Sequence, residues 1–266
     1  MIRVESPHNE RLREVARLIA SSRDRRKSGR CVLEGAHLID VYCERVGTPE
    51  TMVVVDDAVA HGDVARVVAR VPSSRTILVS RSLFAEIATL PADIGVLAVV
   101  AAPRTPLPQP AGFCLLLEDV QDPGNVGAMI RTAAAAGVEQ VLLSRHCAFA
   151  WSPKVLRAAQ GAHFLTTLVE DVDFAAWIAG FRAAGGRVVA TVVAGATPLH
   201  VADLRGRLAI AIGGEGSGLS EKLLALADQQ ITIPMATGSE SLNAAAAAAV
   251  VLFESVRQRT ASQPSA

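Results

Sequence analysis

The chain is short of aromatic side chains. Tyr42, Trp151 and Trp177 are the only ones besides phenylalanine among 266 residues, which leaves no set of rings on which single-stranded bases could stack. Cysteine is scarce as well. Cys31, Cys43, Cys114 and Cys147 lie scattered, with no C-x-x-C pair and no histidine at ligand spacing, so the expectation is four reduced, mostly buried thiols rather than a disulfide framework or a zinc site. His146, His163 and His200 have no ligand-spaced partner either, and no metal is expected. Net charge is missing, with 26 basic residues against 26 acidic, whereas polyanion-binding proteins often carry a basic surplus. The longest uncharged run, residues 188–202, is broken by Pro198, and Arg3 and Glu5 stand where an export signal would need an apolar core. No membrane span and no secretory leader are therefore expected, and the expected location is the cytoplasm.

What charge there is, is segregated. Within residues 1–30, nine basic groups (Arg3, Arg11, Arg13, Arg17, Arg23, Arg25, Arg26, Lys27 and Arg30) face four acidic ones (Glu5, Glu10, Glu14 and Asp24), a local excess of five. Such a stripe meets the electrostatic requirement for phosphate contacts; a solvated helix face is the plainer reading of the same charges.

Periodicity divides the chain in two. Leu12, Val15, Ala16, Leu18 and Ile19 recur at helical spacing, giving an amphipathic helix over residues 6–22, followed by a polar loop over 23–29. Strands at 31–35, 51–55, 76–79 and 95–101 then alternate with helices at 36–45, 59–71 and 83–88, a small α/β unit spanning residues 1–102. Pro103, Pro106, Pro108 and Pro110 mark residues 103–112 as a semi-stiff linker. Beyond it, in residues 113–266, strands at 113–117, 140–143, 164–169, 188–192, 208–212 and 230–233 alternate with helices at 125–136, 153–159 and 174–184, one beginning at Leu219, and one over 242–257. The expected architecture is α/β, a parallel sheet of five or six strands with helices on both faces, preceded by the smaller α/β domain.

The most informative stretch follows the strand at 208–212. It ends at Gly213-Gly214, Glu215 comes next, and Gly216 and Gly218 keep the backbone bare before Leu219. Neither G-x-G-x-x-G nor G-x-x-x-x-G-K-[ST] occurs there. Instead Gly213-x-Glu215-Gly216-x-Gly218-Leu219-Ser220, then Ile233-Pro234-Met235, then Ser241-Leu242-Asn243 resemble the second and third motifs of the SpoU-type (TrmH-like) RNA 2′-O-ribose methyltransferases of the SPOUT superfamily. The first motif of that family is matched upstream by Glu118-Asp119-Val120-Gln121-Asp122-Pro123-Gly124-Asn125-Val126-Gly127-Ala128-Met129-Ile130-Arg131. The opening of the chain, with Glu34-Gly35 and His37, resembles the substrate-binding domain, similar to small RNA-binding ribosomal proteins, that many of these enzymes carry.

The resemblance implies a C-terminal trefoil knot, S-adenosylmethionine as methyl donor, and a ribose 2′-hydroxyl of ribosomal RNA, or alternatively transfer RNA, as acceptor. It also implies a homodimer paired through the catalytic domains. The cofactor would be held around Gly213, Ile233 and Leu242, with Gly214, Gly218 and Met235 beside them. The residues agree to this extent, that bare glycine backbone admits close approach and Ile233 and Leu242 supply apolar walls. Arg131 is the residue that the family assigns to the ribose hydroxyl. A guanidinium rarely gives up its proton, which favours a grip on the substrate phosphate and on the developing alkoxide. Asn125 either bonds the arginine or a loop, or caps a helix. Glu215 is a candidate to orient Asn125 or the substrate, and Ser241 and Asn243 either reach the ribose or cap the last helix. Arg23, Arg25, Arg26, Lys27 and Arg30 are the candidate RNA contacts. The rivals are a non-catalytic RNA binder on the same fold and a methyltransferase of another acceptor, for which the basic first thirty residues would have no use.

Overall fold

The computed structural model describes residues 1–89, 94–103, 111–238 and 241–261. In chain order its first elements are β1 (Ile2–Arg3), α1 (Glu10–Ala20), α2 (Ser22–Ser28), β2 (Arg30–Glu34), α3 (Ala36–Arg45), β3 (Thr51–Val55), α4 (Gly62–Val68), β4 (Thr76–Val79), α5 (Arg81–Ile87) and β5 (Val96–Ala101). There follow β6 (Phe113–Glu118), α6 (Pro123–Ala135), β7 (Gln140–Leu143), α7 (Pro153–Ala159), β8 (Thr167–Val169), α8 (Phe174–Ala183), β9 (Arg187–Thr191), β10 (Thr197–Pro198), β11 (Leu208–Gly213), α9 (Glu221–Ala225), β12 (Gln229–Thr232) and α10 (Ala244–Ala261). Contacts gather these into two units, Met1–Arg104 with Trp151–Leu165, and Thr105–Ala150 with Thr166–Ala266. The proline-rich linker expected over 103–112 falls mostly on residues 104–110, outside the described residues.

The first unit is built on a five-stranded mixed sheet, ordered β1-β4-β3-β5-β2, in which β5 runs antiparallel to both its neighbours. Helix α1 buries Leu12, Val15 and Leu18 against Val32, Val53, Val55, Ile77 and Leu97. It begins at Glu10 rather than near Ser6 because the Asn9 side chain accepts from the amides of Arg11 and Leu12, the usual fix for unpaired amides at a helix start. The polar loop expected over 23–29 is in fact α2. Ser21 caps it through the Asp24 amide, and Gly29, at φ 65°, closes it in the left-handed conformation. A short charged helix of this kind, about two turns long, has no apolar period to reveal it; only the cap residues at each end do.

Arg25 falls on the inner side of that helix. It is only 5% exposed, and its guanidinium donates to the carbonyls of Leu18 and Ile19, the last of which it meets at 2.8 Å. These are acceptors that the end of α1 would otherwise leave unpaired. The excursion Trp151–Leu165 also belongs to this unit: α7 packs on β2, Phe164 meets Tyr42 edge-on at 5.3 Å, and Gly161 lies so close to Val41 that a Cβ there would sit 3.1 Å from its side chain.

In the second unit seven strands, all parallel, are ordered β10-β12-β9-β11-β6-β7-β8. That is more than the five or six expected, the addition being the two-residue β10. β8 is shorter than the strand expected over 164–169, since residues Ala162–Phe164 form a 3-10 turn. The uninterrupted apolar runs of β6 and β11 follow from their central place, where both faces are covered. From β6 the chain proceeds outward through β7 and β8, then crosses to the far side, and β11 later fills the gap between β6 and β9. Ligands of open α/β sheets bind at such a reversal, beyond the carboxyl ends of the strands.

Helix α10 packs along α6 and against β11. Its last turns are bonded to the loop before β11: Ser255 Oγ donates to the Leu204 carbonyl at 2.8 Å, Gln258 Oε1 accepts from the Leu204 amide at 2.8 Å, and Arg259 Nη2 donates to the Gly206 carbonyl at 2.8 Å. Burial pushes all four thiols up, that of Cys114 to about 12. Among the described residues no group of three or more His, Cys, Asp or Glu could hold a metal ion, and no helix is long and apolar enough to cross a membrane. Arg25→Ala is expected to cost about 1–3 kcal/mol by orphaning buried carbonyls, while Arg23→Ala, two residues away and exposed, costs under about 0.5 kcal/mol. Urea unfolding of the two variants, compared with wild type, measures the difference.

Candidate active site

Gly213 ends β11 and starts a turn that folds back on itself. A Cβ on Gly213 would meet the carbonyl carbon of Gly218 at 2.1 Å and the Leu219 nitrogen at 2.4 Å, and one on Gly214 would meet the Asp119 carbonyl oxygen at 2.5 Å. Gly218, at φ 64°, closes the turn by donating its amide to the Gly214 carbonyl at 2.9 Å. The bare backbone expected to make room for a ligand is thus required by the chain's own close approach. Glu118, at the end of neighbouring β6, holds the far side of the turn: its carboxylate accepts from the Ser220 amide at 2.7 Å and the Ser220 hydroxyl at 2.8 Å.

What the turn carries is Glu215. Asn125 comes to it from α6, where Asp122 is the N-cap, its Oδ1 accepting from the Asn125 amide at 2.8 Å, with Pro123 in the first turn. Asn125 is therefore not the cap. Its side chain, 9% exposed, donates Nδ2 to Glu215 Oε1. Asn243 does cap its helix: Oδ1 accepts from the amides of Ala245 and Ala246 at 2.9 and 3.2 Å, which leaves Nδ2 to donate to Asn125 Oδ1 at 3.0 Å and to Glu215 Oε1 at 3.1 Å. Three side chains from the start of α6, the glycine turn and the start of α10 close into one hydrogen-bonded ring. Of the two readings given for Asn243, the helix cap is formed, and its amide is turned to Asn125 and Glu215.

Glu215 also borders a pocket of about 420 Å³ beyond the carboxyl ends of β9, β11 and β12. Gly213, Gly214, Gly218, Ile233, Met235 and Leu242 all line it, joined by Val192, Ile212 and Ile231. Ser241 lines it too. A concave, largely apolar site edged by peptide backbone and one carboxylate is the usual form of a small-molecule site.

Arg131 stands apart from this ring. Six residues beyond Asn125 it is about 9 Å further along the helix and about 120° around it, exposed where Asn125 is buried. In the first unit Arg25 is committed to α1, and Arg30 to Glu14 and Glu50. Arg26 is half-buried and has a partner, while Arg23 and Lys27 are exposed. The sequence reading missed Glu118 and, beside it, Asp119, which sits at φ 54° with its carboxylate accepting from Ser144 Oγ at 2.7 Å. The available signal was a pair of acids directly after a buried strand.

Known proteins are similar over both the site and the whole chain. The family model of the SpoU rRNA Methylase family matches residues 112–253. An uncharacterized tRNA/rRNA methyltransferase of Synechocystis sp. is 33% identical over 92% of this chain and 90% of its own length. The 23S rRNA (guanosine(2553)-2′-O)-methyltransferase RlmP of Bacillus subtilis is 30% identical over 95% and 98%. Among solved structures, the SpoU methyltransferase AviRb from Streptomyces viridochromogenes, in complex with the cofactor AdoMet, superposes with a TM-score of 0.86 at 27% identity, covering 96% of this chain and 100% of that one. With that family model matched over more than half of the chain and relatives alike over nearly all of it, the chain belongs to the SpoU rRNA methylase family.

Proposed function

We infer that the chain transfers the methyl group of S-adenosylmethionine to a ribose 2′-hydroxyl of RNA, with ribosomal RNA as the substrate. The observation that carries this reading is the ring of Asn125, Glu215 and Asn243 on the border of the pocket. Relatives alike over nearly the whole chain support the substrate and cofactor: RlmP by its name acts on 23S rRNA, and AviRb is bound to AdoMet. A protein that only bound RNA would have no use for a carboxylate clamped by two amides beside such a cavity.

The residues fit the cofactor. The volume lies within the range of about 300–1,000 Å³ usual for small-molecule sites, and Ile212, Ile231, Ile233 and Leu242 offer apolar walls for a purine beside the peptide edges of the glycine turn. When bound, S-adenosylmethionine supplies a methyl group on a positively charged sulfur, open to displacement by oxygen. The chain's own part is to align that oxygen and stabilise it as it loses its proton. Both ring amides engage Glu215 Oε1, which fixes the carboxylate and leaves Oε2 to accept from the substrate. Ser241 adds a hydroxyl at the pocket wall. Arg131 acts as a cation for the substrate phosphate and the developing alkoxide, since a guanidinium holds its protons too firmly to be the base.

The same reading makes the first unit an RNA-substrate module, supported by the exposed Arg11, Arg13, Arg17, Arg23 and Lys27, and it places the protein in the cytoplasm. It also includes the trefoil knot of the family, in keeping with the insertion of β11 between β6 and β9 and the bonding of α10 to the loop before β11. The homodimer would form through the second unit. In support, α10 leaves Val250 and Phe253 exposed, at 43% and 48%, on the side away from its buried Ala248, Val251 and Ser255.

Radiolabelled methyl from S-adenosylmethionine is expected to enter unmodified ribosomal RNA and to survive alkali in a dinucleotide. Arg131→Ala should lower the rate by about 10²–10³-fold; label that is alkali-labile, or absent despite cofactor binding, would count against the reading. Asn243→Ser separates the two duties of that residue. Serine still caps α10, so the melting temperature should hold, while loss of the amide to Glu215 lowers the rate by about 10–100-fold. Phe253→Glu should turn a dimer into monomer in sedimentation velocity, and a wild-type protein already monomeric at tens of micromolar, an order of magnitude at which most specific dimers persist, would remove the dimer from the proposal.

A further inference from the structure

Arginine usage in the second unit separates structural cations from available ones. Arg182, Arg187, Arg205, Arg257 and Arg259 donate to carboxylates or carbonyls, and Arg207 is engaged as well. Arg131 and Arg145 have no hydrogen bond or ion pair among the described residues. The first already has a part in the proposed chemistry; the second has none.

Arg145 follows β7 by two residues and is exposed. Because β7 pairs in parallel with β6, and β6 with β11, Arg145 lies at the same sheet edge as Glu215, which follows β11 by two residues. Two strand spacings, on the order of 10 Å, separate their places. The loop that bears it is pinned to the end of β6. The Ser144 amide donates to the Leu117 carbonyl at 2.9 Å, and Ser144 Oγ donates to Asp119 Oδ1 at 2.7 Å while accepting from the Asp119 amide at 2.9 Å. Further on, the Ala148 amide donates to the Val120 carbonyl at 2.9 Å. Asp119 holds its end of the clamp in the left-handed region, a conformation that costs an aspartate energy and that only a well-bonded setting retains.

Charge supplies the reason for such a loop. Glu118, Asp119, Asp122 and Glu215 crowd this edge, so a polyanion brought to the pocket meets carboxylates first. A fixed cation beside them offsets that repulsion, and a guanidinium presents its donors in the fork that suits a phosphate. We propose that Arg145 is a phosphate-binding residue for the RNA strand that carries the target ribose, with the Ser144–Asp119 clamp as its positioning device. His146, whose Nδ1 lies 3.6 Å from Asp119 Oδ1, flanks the same subsite. The proposal rests on the RNA methyl-transfer reading and adds to it where the strand is gripped.

Binding of unmodified 23S ribosomal RNA, the class on which RlmP acts, would be followed across a salt series for wild type, Arg145→Gln and Arg145→Lys, alongside calorimetry with S-adenosylmethionine. Arg145→Gln should weaken RNA binding by about tenfold at low salt and flatten the log–log salt dependence by about 0.7–0.9, with cofactor affinity and kcat unchanged and KM raised. Arg145→Lys should keep the salt slope. Affinity and slope equal to wild type would overturn the proposal, and so would a loss of affinity at unchanged slope, which is the mark of a disturbed loop and not of a lost phosphate contact. A wild-type protein that binds the cofactor but neither binds nor methylates RNA would instead remove the underlying reading, and it would do so before any variant is made.

Discussion

Glu215 Oε1 takes hydrogen bonds from Asn125 Nδ2 and Asn243 Nδ2, and Asn243 gives a further one to Asn125. These contacts span 90 and 118 residues of sequence and tie together three places where a strand end or loop meets a helix. An exposed carboxylate on a glycine turn would ordinarily wander. Here the turn is fixed below by the backbone crossing at Gly213 and Gly218 and on its far side by Glu118, so the only remaining freedom is that of the side chain, which the two amides remove. Because Asp122 takes the cap of α6, the Asn125 side chain is free for that oxygen, and Asn243 serves it while capping α10.

The same economy shows in α10. Its first residues are capped by Asn243, within the ring, and its last turns are bonded to the loop that leads into β11. A helix rich in alanine has little side-chain bulk with which to hold a position, so its two ends carry the register. Since β11 itself terminates in the glycine turn, the helix and the turn are referenced to each other at both ends. This is a direct route by which packing far from the pocket fixes its geometry.

The sequence exposed the parallel sheet and the pocket walls, because each depends on a local pattern: apolar runs for doubly covered strands, glycines where no side chain fits, Ile233 and Leu242 beside a loop; the order of the strands across the sheet was not in it. It also singled out Asn125, Glu215 and Asn243, with Glu215 set to orient Asn125 but Asn243 standing apart from them. Their closure into a ring depends on distances across the fold that no local pattern encodes. Where the reading failed, competing local chemistry was the cause. Arg25 looked like a surface cation among cations, but the carbonyls at the end of α1 needed a donor, and α2 lacked the apolar period that would have announced it.

The excursion Trp151–Leu165 bears on how the protein is made. The first unit's edge strand β2 and helix α3 are synthesised early, yet α7, Gly161 and Phe164, which cover them, emerge from the ribosome only after β6, α6 and β7 have passed. At about 5–20 residues per second, several seconds separate the two events, during which an apolar flank around Tyr42 and Val41 stays uncovered. Completion of the amino-terminal unit is thereby made to wait on the synthesis of β6, α6 and β7, the first elements of the other unit.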